Sequence, residues 1–257
     1  MLKIGLQLYT LREELEQDFE GTLRKVAALG YKSVEFYHYF GRTAAEVKQL
    51  LNELGLVVLG AHRPYDAMLN DTEAEISYNL EIGNPYLIVP FLTEEQRNYE
   101  DVAANLKIIG EKCKARGVVL LYHNHDFELT DKYGDSTDTA FDGIFEAVPA
   151  DLLQVEMDTF WVHYAGYDPV EYINKYAGRL PIIHLKDLKK NEDGSPETVV
   201  LGEGDLNLTA ILEAAIEANV EWAVVEQDNC SRSPLESVED SLKWVKAYAN
   251  QGGKVNV

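Results

Sequence analysis

The chain is poor in the residues that several large classes of protein require. It has two cysteines, Cys113 and Cys230, which follow no metal-binding or redox spacing. Free thiols of this kind fit a reducing compartment. Lysine and arginine number 23 against 44 acidic residues, a formal net charge of -21. That balance leaves no basic footprint for nucleic acid or for an anionic membrane surface. No run reaches about 18 apolar residues, and the opening MLKIGLQLYT lacks the apolar core and cleavage region of a signal peptide. A cytoplasmic protein with no membrane partner is expected. No apolar run is followed by a Gly-x-Gly-x-x-Gly turn, so a doubly wound open sheet lacks its main support.

What is present is a core and a repeating pattern. Hydrophobic residues make up 46% of 257 residues. Short apolar runs rich in Val, Ile and Tyr fall at 3–10, 33–38, 57–62, 86–91, 118–124, 152–158, 182–187 and 222–227, as expected for buried parallel strands. Helical faces separate them: Phe19, Leu23, Val26 and Ala27; Val102, Leu106, Ile109 and Cys113; Val238, Leu242 and Val245. Gly30, Gly55 and Gly117 are placed to end three of the helices in the left-handed conformation. The α/β alternation, with no linker or low-complexity break, predicts a single (β/α)8 TIM barrel over residues 1–257. The charged stretch 189–206, KKNEDGSPETVVLGEGDL, reads as a long loop on the face that carries the strands' C-terminal ends.

Four polar residues stand at or near the ends of four apolar runs: His123, Asp158, His184 and Glu226. Side chains two apart share a strand face, which joins His123 with His125, Gln154 and Glu156 with Asp158, His184 with Lys186, and Glu226 with Asp228. A lone histidine at a strand end is more often structural than a ligand, and Lys186 alone can neutralise Glu226. Interior carboxylates are costly unless paired or bound to metal, so several on neighbouring strands point to one shared centre. His123, Asp158, His184 and Glu226 are therefore the expected ligands of a divalent metal. His62 and Glu35 are evenly balanced between lining the same pocket and ordinary packing.

The mixed imidazole and carboxylate set suits Mn²⁺, Zn²⁺, Co²⁺ or Fe²⁺ better than Ca²⁺. Mn²⁺ is the favoured ion, with Mg²⁺ a further alternative. Such an ion acts as a Lewis acid on a carbonyl or hydroxyl oxygen and acidifies the α-proton of a bound ketose. Glu226 is the expected base, and Lys186 and His125 are placed to stabilise the oxyanion or shuttle the proton. Tyr9, Phe36, Tyr65, Phe91 and Trp161, near strand ends, can stack on a sugar or simply pack.

The wording of the motifs resembles the xylose-isomerase-like sugar phosphate isomerase/epimerase superfamily. The carriers are GLQLYTLR at 5–12, GYKSVEF at 30–36, YHNHDFE at 122–128, VEMDTFWV at 155–162, His-Leu-Lys-Asp at 184–187, LGEGDL at 201–206 and VVEQD at 224–228. The resemblance implies a metal-dependent TIM barrel acting on sugars, with Asp158, His184 and Glu226 matching three metal ligands. The fourth position departs from the pattern: His123 stands where the better-studied epimerases present a glutamate that also serves as acid/base. Trp161 stands where many relatives place a histidine. The YHNHDFE and DTFWV wording is closer to inosose dehydratases and 3-keto-glycoside lyases. The implied partner is a sugar or cyclitol, bound with help from His62, Glu35 and Trp161, and barrels of this family often pair as homodimers. No Gly-rich phosphate cradle is evident apart from LGEGDL, so an unphosphorylated substrate is favoured. Two alternatives remain: a carbohydrate-binding barrel without activity, and an endonuclease IV-like phosphodiesterase, which the acidic charge opposes.

Overall fold

A computed structural model describes residues 1–257. The strands β1 (Leu2–Gln7), β2 (Ser33–Phe36), β3 (Val57–His62), β4 (Tyr86–Val89), β5 (Val119–His123), β6 (Gln154–Asp158) and β7 (Ile182–Leu185) pair in parallel in chain order. A later strand, Trp222–Val225, pairs in parallel with both β7 and β1 and closes the ring. This is a single (β/α)8 barrel, with helices between successive strands. No helix is long and apolar enough to cross a membrane.

Both faces of the strands are buried, and the two faces do different work. The outward residues join the helices in the main core, where Leu23, Val26, Leu106, Ile109, Cys113, Val238 and Val245 are buried. A separate apolar layer of Leu59, Ile88, Leu121, Ile182, Trp222 and Val224 fills the ring toward the strands' N-terminal ends. Two residues beyond Leu121, Ile182 and Val224, the same strand faces carry His123, His184 and Glu226. The alternation that packs the floor thus sets a polar layer directly above it, at the C-terminal face where barrels of this kind hold their sites.

Boundaries differ from expectation in three places. β1 ends at Gln7 because Leu8–Leu11 turn into a 3-10 helix. Gly30 and Gly55 end their helices at positive φ, and Gly117 is also left-handed, although it lies one residue beyond the cap at Arg116. The stretch 189–206 is not simply a loop. Strands β8 (Asp187–Lys190) and β9 (Pro196–Val199) form an antiparallel hairpin there, so the closing strand Trp222–Val225 is β10. Exposed Lys189 and Lys190 hid the pattern, because a two-stranded ribbon outside the barrel needs no continuous apolar run.

LGEGDL follows this hairpin. The buried carboxylate of Asp187 accepts from the backbone N–H groups of Gly202, Gly204, Leu206 and Leu188 at 2.9–3.2 Å. The donors that could have cradled a phosphate are already satisfied by the chain's own anion. Gly204 has to be glycine, since a Cβ there would fall 2.3 Å from Asp187 Oδ1. Finally, β11 (Val255–Asn256) pairs with Leu2 and Lys3 of β1, extending the sheet where β2, which meets β1 at Leu6 and Gln7, does not reach.

Candidate functional site

The polar layer is held by short links between strand ends. Asn124 accepts from the Asp158 backbone N–H at 2.9 Å, and the Thr159 hydroxyl donates to the His184 carbonyl at 2.9 Å. Across the closing seam, the Gln227 backbone N–H donates to Thr10 Oγ1 at 2.9 Å. Glu128, the last residue of YHNHDFE, accepts from Tyr122 Oη at 2.7 Å and from the His125 backbone N–H at 2.8 Å. Burial drives its carboxyl up to about 7.

Two groups of side chains meet within this frame. In the first, Glu156 Oε2 lies 2.7 Å from His62 Nε2, 2.9 Å from His123 Nδ1 and 3.3 Å from His184 Nε2. Glu35 Oε1 lies 2.9 Å from His62 Nε2 and 3.0 Å from His184 Nε2, and it accepts from Gln7 Nε2. The imidazoles of His62 and His184 stack at 5.4 Å, 8° from parallel. Gly60 makes room for this arrangement: a Cβ there would lie 2.7 Å from Glu35 Oε2. Burial lowers the His62 pKa, but Glu35 and Glu156 outweigh it and bring His62 up to about 9. Burial takes His123 the other way, to about 3, despite Glu156.

In the second group the Lys186 ammonium sits among three carboxylates. Its Nζ is 2.7 Å from Glu226 Oε2, 2.8 Å from Asp158 Oδ2 and 3.0 Å from Asp228 Oδ2. Burial raises the Asp158 carboxyl to about 6 even with Lys186 beside it. The other oxygen of Asp158 caps the helix Thr159–Tyr164, accepting from the N–H groups of Phe160 and Trp161. His184 joins the two groups, because its Nδ1 lies 2.8 Å from Glu226 Oε2 while its Nε2 faces Glu156 and Glu35.

The four expected ligands are therefore divided. Asp158, His184 and Glu226 do come together, but around a lysine; His123 belongs with His62, Glu156 and His184. Glu156 was visible in sequence as an axis-facing residue of β6 but was not among the expected ligands. The register explains its importance, since Glu156 pairs directly with His123 on β5.

A cavity of about 510 Å³ opens above both groups. Its floor includes His62, His123, Lys186 and Glu226, and Tyr9, Tyr37, Phe91 and His125 stand in its walls. Of the residues expected to bind substrate, His62 lines this cavity and the other two do not. Glu35 is fully buried, turned into the histidine group. Trp161 packs against His125 with ring centroids 5.5 Å apart. Tyr9 and Phe91 are exposed and line the cavity, whereas Phe36 and Tyr65 are core residues.

The first group passes a chemical test for a divalent ion. Its imidazole nitrogens and the carboxylate oxygens they face stand 2.7–3.3 Å apart, close to the spacing of about 3 Å between neighbouring ligands whose bonds to an ion are about 2.1 Å long. The donors are three imidazoles and two carboxylates, all buried, and Glu35 Oε2 and Glu156 Oε1 are buried oxygens with no hydrogen-bond partner. The second group already holds a cation, since the Lys186 ammonium stands 2.7–3.0 Å from its three carboxylates, so an ion has less room there.

A closed barrel with a buried histidine–carboxylate centre beneath a cavity at the C-terminal ends of its strands defines the architectural class. Residues 23–248 match the family model described as xylose isomerase-like TIM barrel, and the chain belongs to that family. It is 22% identical to the inosose dehydratase of Clostridium tetani, over 91% of both chains. A similar relation, at 24% identity over 80% of this chain and 79% of the other, links it to the inosose dehydratase of Geobacillus kaustophilus. Among solved structures, a sugar phosphate isomerase/epimerase from Parabacteroides distasonis superposes with a TM-score of 0.80 at 24% identity, covering 96% of this chain and 94% of that one. The IOLI protein with a binding zinc atom superposes with a TM-score of 0.75 at 15% identity, covering 97% of this chain and 99% of that one. These superpositions establish the shared fold.

Proposed function

We propose that the protein is a divalent-metal-dependent lyase that dehydrates a keto-cyclitol or keto-sugar. The observation that carries this reading is the buried group of His62, His123, Glu156 and His184 beneath a cavity whose floor also presents Lys186 and Glu226. His62, His123, Glu156 and His184 would hold the ion, with Glu35 beside them. When bound, such an ion supplies Lewis acidity toward a carbonyl or hydroxyl oxygen. The names of the inosose dehydratase relatives support a polyhydroxylated ketone as substrate.

The remaining work belongs to side chains. Glu226 reaches the cavity while one of its oxygens is held by His184 and Lys186, so its other oxygen is the base that takes the proton α to the ketone. The Lys186 ammonium opposes the charge that develops as that proton leaves. His125, whose backbone N–H is fixed by Glu128, presents its imidazole on the opposite wall together with Phe91. Tyr9 and Tyr37 offer aromatic faces to a sugar ring. The carboxylates lining the cavity, Glu226 and Asp228, both come from the end of β10. Two carboxylates side by side on one wall suit the loss of a proton and a β-oxygen from the same face of a substrate.

The test is to load the purified protein with Mn²⁺ and incubate it with 2-keto-myo-inositol in D₂O. NMR should show deuterium entering the α-carbon together with formation of the dehydrated product, and chelation should abolish both. Full turnover by the chelated protein would overturn the reading.

A further inference from the structure

Asp228 has no role so far beyond its contact with Lys186, yet it is the most exposed carboxylate of the centre. Its side chain keeps 26% of its accessibility, against 5% for Glu226 and none for Asp158. Both of its oxygens receive the Lys186 ammonium, at 3.1 and 3.0 Å. Its backbone is pinned as well: Arg12 Nη1 donates to the Asp228 carbonyl at 2.8 Å and to the Tyr9 carbonyl at 3.2 Å. The Arg12 guanidinium also packs over the Tyr9 ring, 4.6 Å from its centroid. The first turn after β1 thus holds the end of β10 in place, and Asp228 projects into the cavity beside Glu226.

We propose that Asp228 is a further catalytic residue, the general acid that protonates the departing β-oxygen, supplied with its proton through Lys186. This rests on the dehydration reading above. Glu226 takes the α-proton, and the electron pair of the broken C–H bond becomes the new carbon–carbon double bond. Lys186 gives an N–H proton to Asp228 and recovers one from Glu226, so the ammonium charge is unchanged over the cycle. Asp228 passes its proton to the β-oxygen as the C–O bond breaks and its electron pair leaves with the oxygen. One hydrogen and one hydroxyl depart as water, and no oxidant or reductant is needed. Lys186 is placed for the transfer because Nζ is within 3.0 Å of both carboxylates. Arg12 is a positioning residue in this scheme.

The test compares two readouts on one probe, 2-keto-myo-inositol, with Mn²⁺-loaded wild type and Asp228→Asn. Asp228→Asn should lower dehydration on the order of 100-fold, the usual scale for losing a general acid. It should lower α-deuterium exchange by less than about tenfold, since Glu226 remains; exchange would then run ahead of elimination. Asp228→Glu should recover part of the dehydration. A fall of exchange and dehydration by the same factor, or no fall in either, would overturn the assignment while leaving the dehydration reading intact. Absence of both exchange and dehydration in the wild type would overturn that reading and the assignment with it. Thermal unfolding and Mn²⁺ content of each variant identify a folding defect, and the ratio of the two rates on the folded fraction still decides.

Discussion

His184 Nδ1 lies 2.8 Å from Glu226 Oε2, and this contact turns the opposite nitrogen, Nε2, toward Glu156 and Glu35. A carboxylate behind an imidazole fixes both its tautomer and its orientation, which typically matters 10–100-fold for metal affinity. Glu226→Gln should accordingly weaken Mn²⁺ binding by about 10-fold or more without abolishing it. His184→Ala should remove it. Isothermal titration of chelated protein with Mn²⁺ measures both.

Lys186 pairs with three carboxylates from two strands, and its Nζ lies buried among them. Replacing it with methionine keeps most of its packing and strands the charges. A loss of about 3–5 kcal/mol at neutral pH is expected, as for one partner removed from a buried pair. Adding Asp158→Asn should recover part of that loss. Urea unfolding of the single and double variants gives the comparison, and an additive double variant would show that the two residues do not act together.

Glu128 makes stability depend on pH. Its carboxyl is raised to about 7 by burial, from an ordinary value near 4.5. The folded state therefore binds the proton more tightly than the unfolded chain does. The resulting stability is fully present below about pH 4.5 and is lost as pH rises through 7, a change of about 3 kcal/mol at most. Glu128→Gln should flatten this part of the pH–stability curve. Chemical denaturation from pH 5 to 8, compared between the two proteins, tests it.

Gly60 is where the fold yields to the site. A methyl group at this position would meet Glu35 Oε2 at 2.7 Å and Ile88 Cδ1 at 2.9 Å. Gly60→Ala should push Glu35 away from His62 and His184, lowering Mn²⁺ affinity more than it lowers thermal stability. Equal affinity in the variant would show that Glu35 lies outside the centre.

Much of the barrel was legible because its strands are buried on both faces and read as apolar runs, while single polar residues near their ends announce the upper layer. The alternation of β6 placed Glu156 on the axis, but alternation carries no information about height. Whether Glu156 meets His62, three strands away, depends on the stagger of β4 and β5 between them, and whether Glu35 joins them depends on the register shift at Val34 and Glu35. The same limit applied to His123, which was grouped with Asp158 and Glu226 and lies closer to Glu156. Lys186 was legible as a neighbour of Glu226 but not as the cation shared with Asp158 and Asp228. The hairpin at 187–199 escaped because short exposed strands leave no apolar signature.

The position of the ion is the central point. Metal content of wild type, Glu156→Gln and Asp158→Asn, each loaded with Mn²⁺, desalted and measured by elemental analysis, tests this directly. The centre built on His62, His123, Glu156 and His184 predicts about one equivalent in wild type and in Asp158→Asn, and loss of the ion in Glu156→Gln. Retention of the ion in Glu156→Gln together with its loss in Asp158→Asn would place the metal among the Lys186 carboxylates and contradict the account.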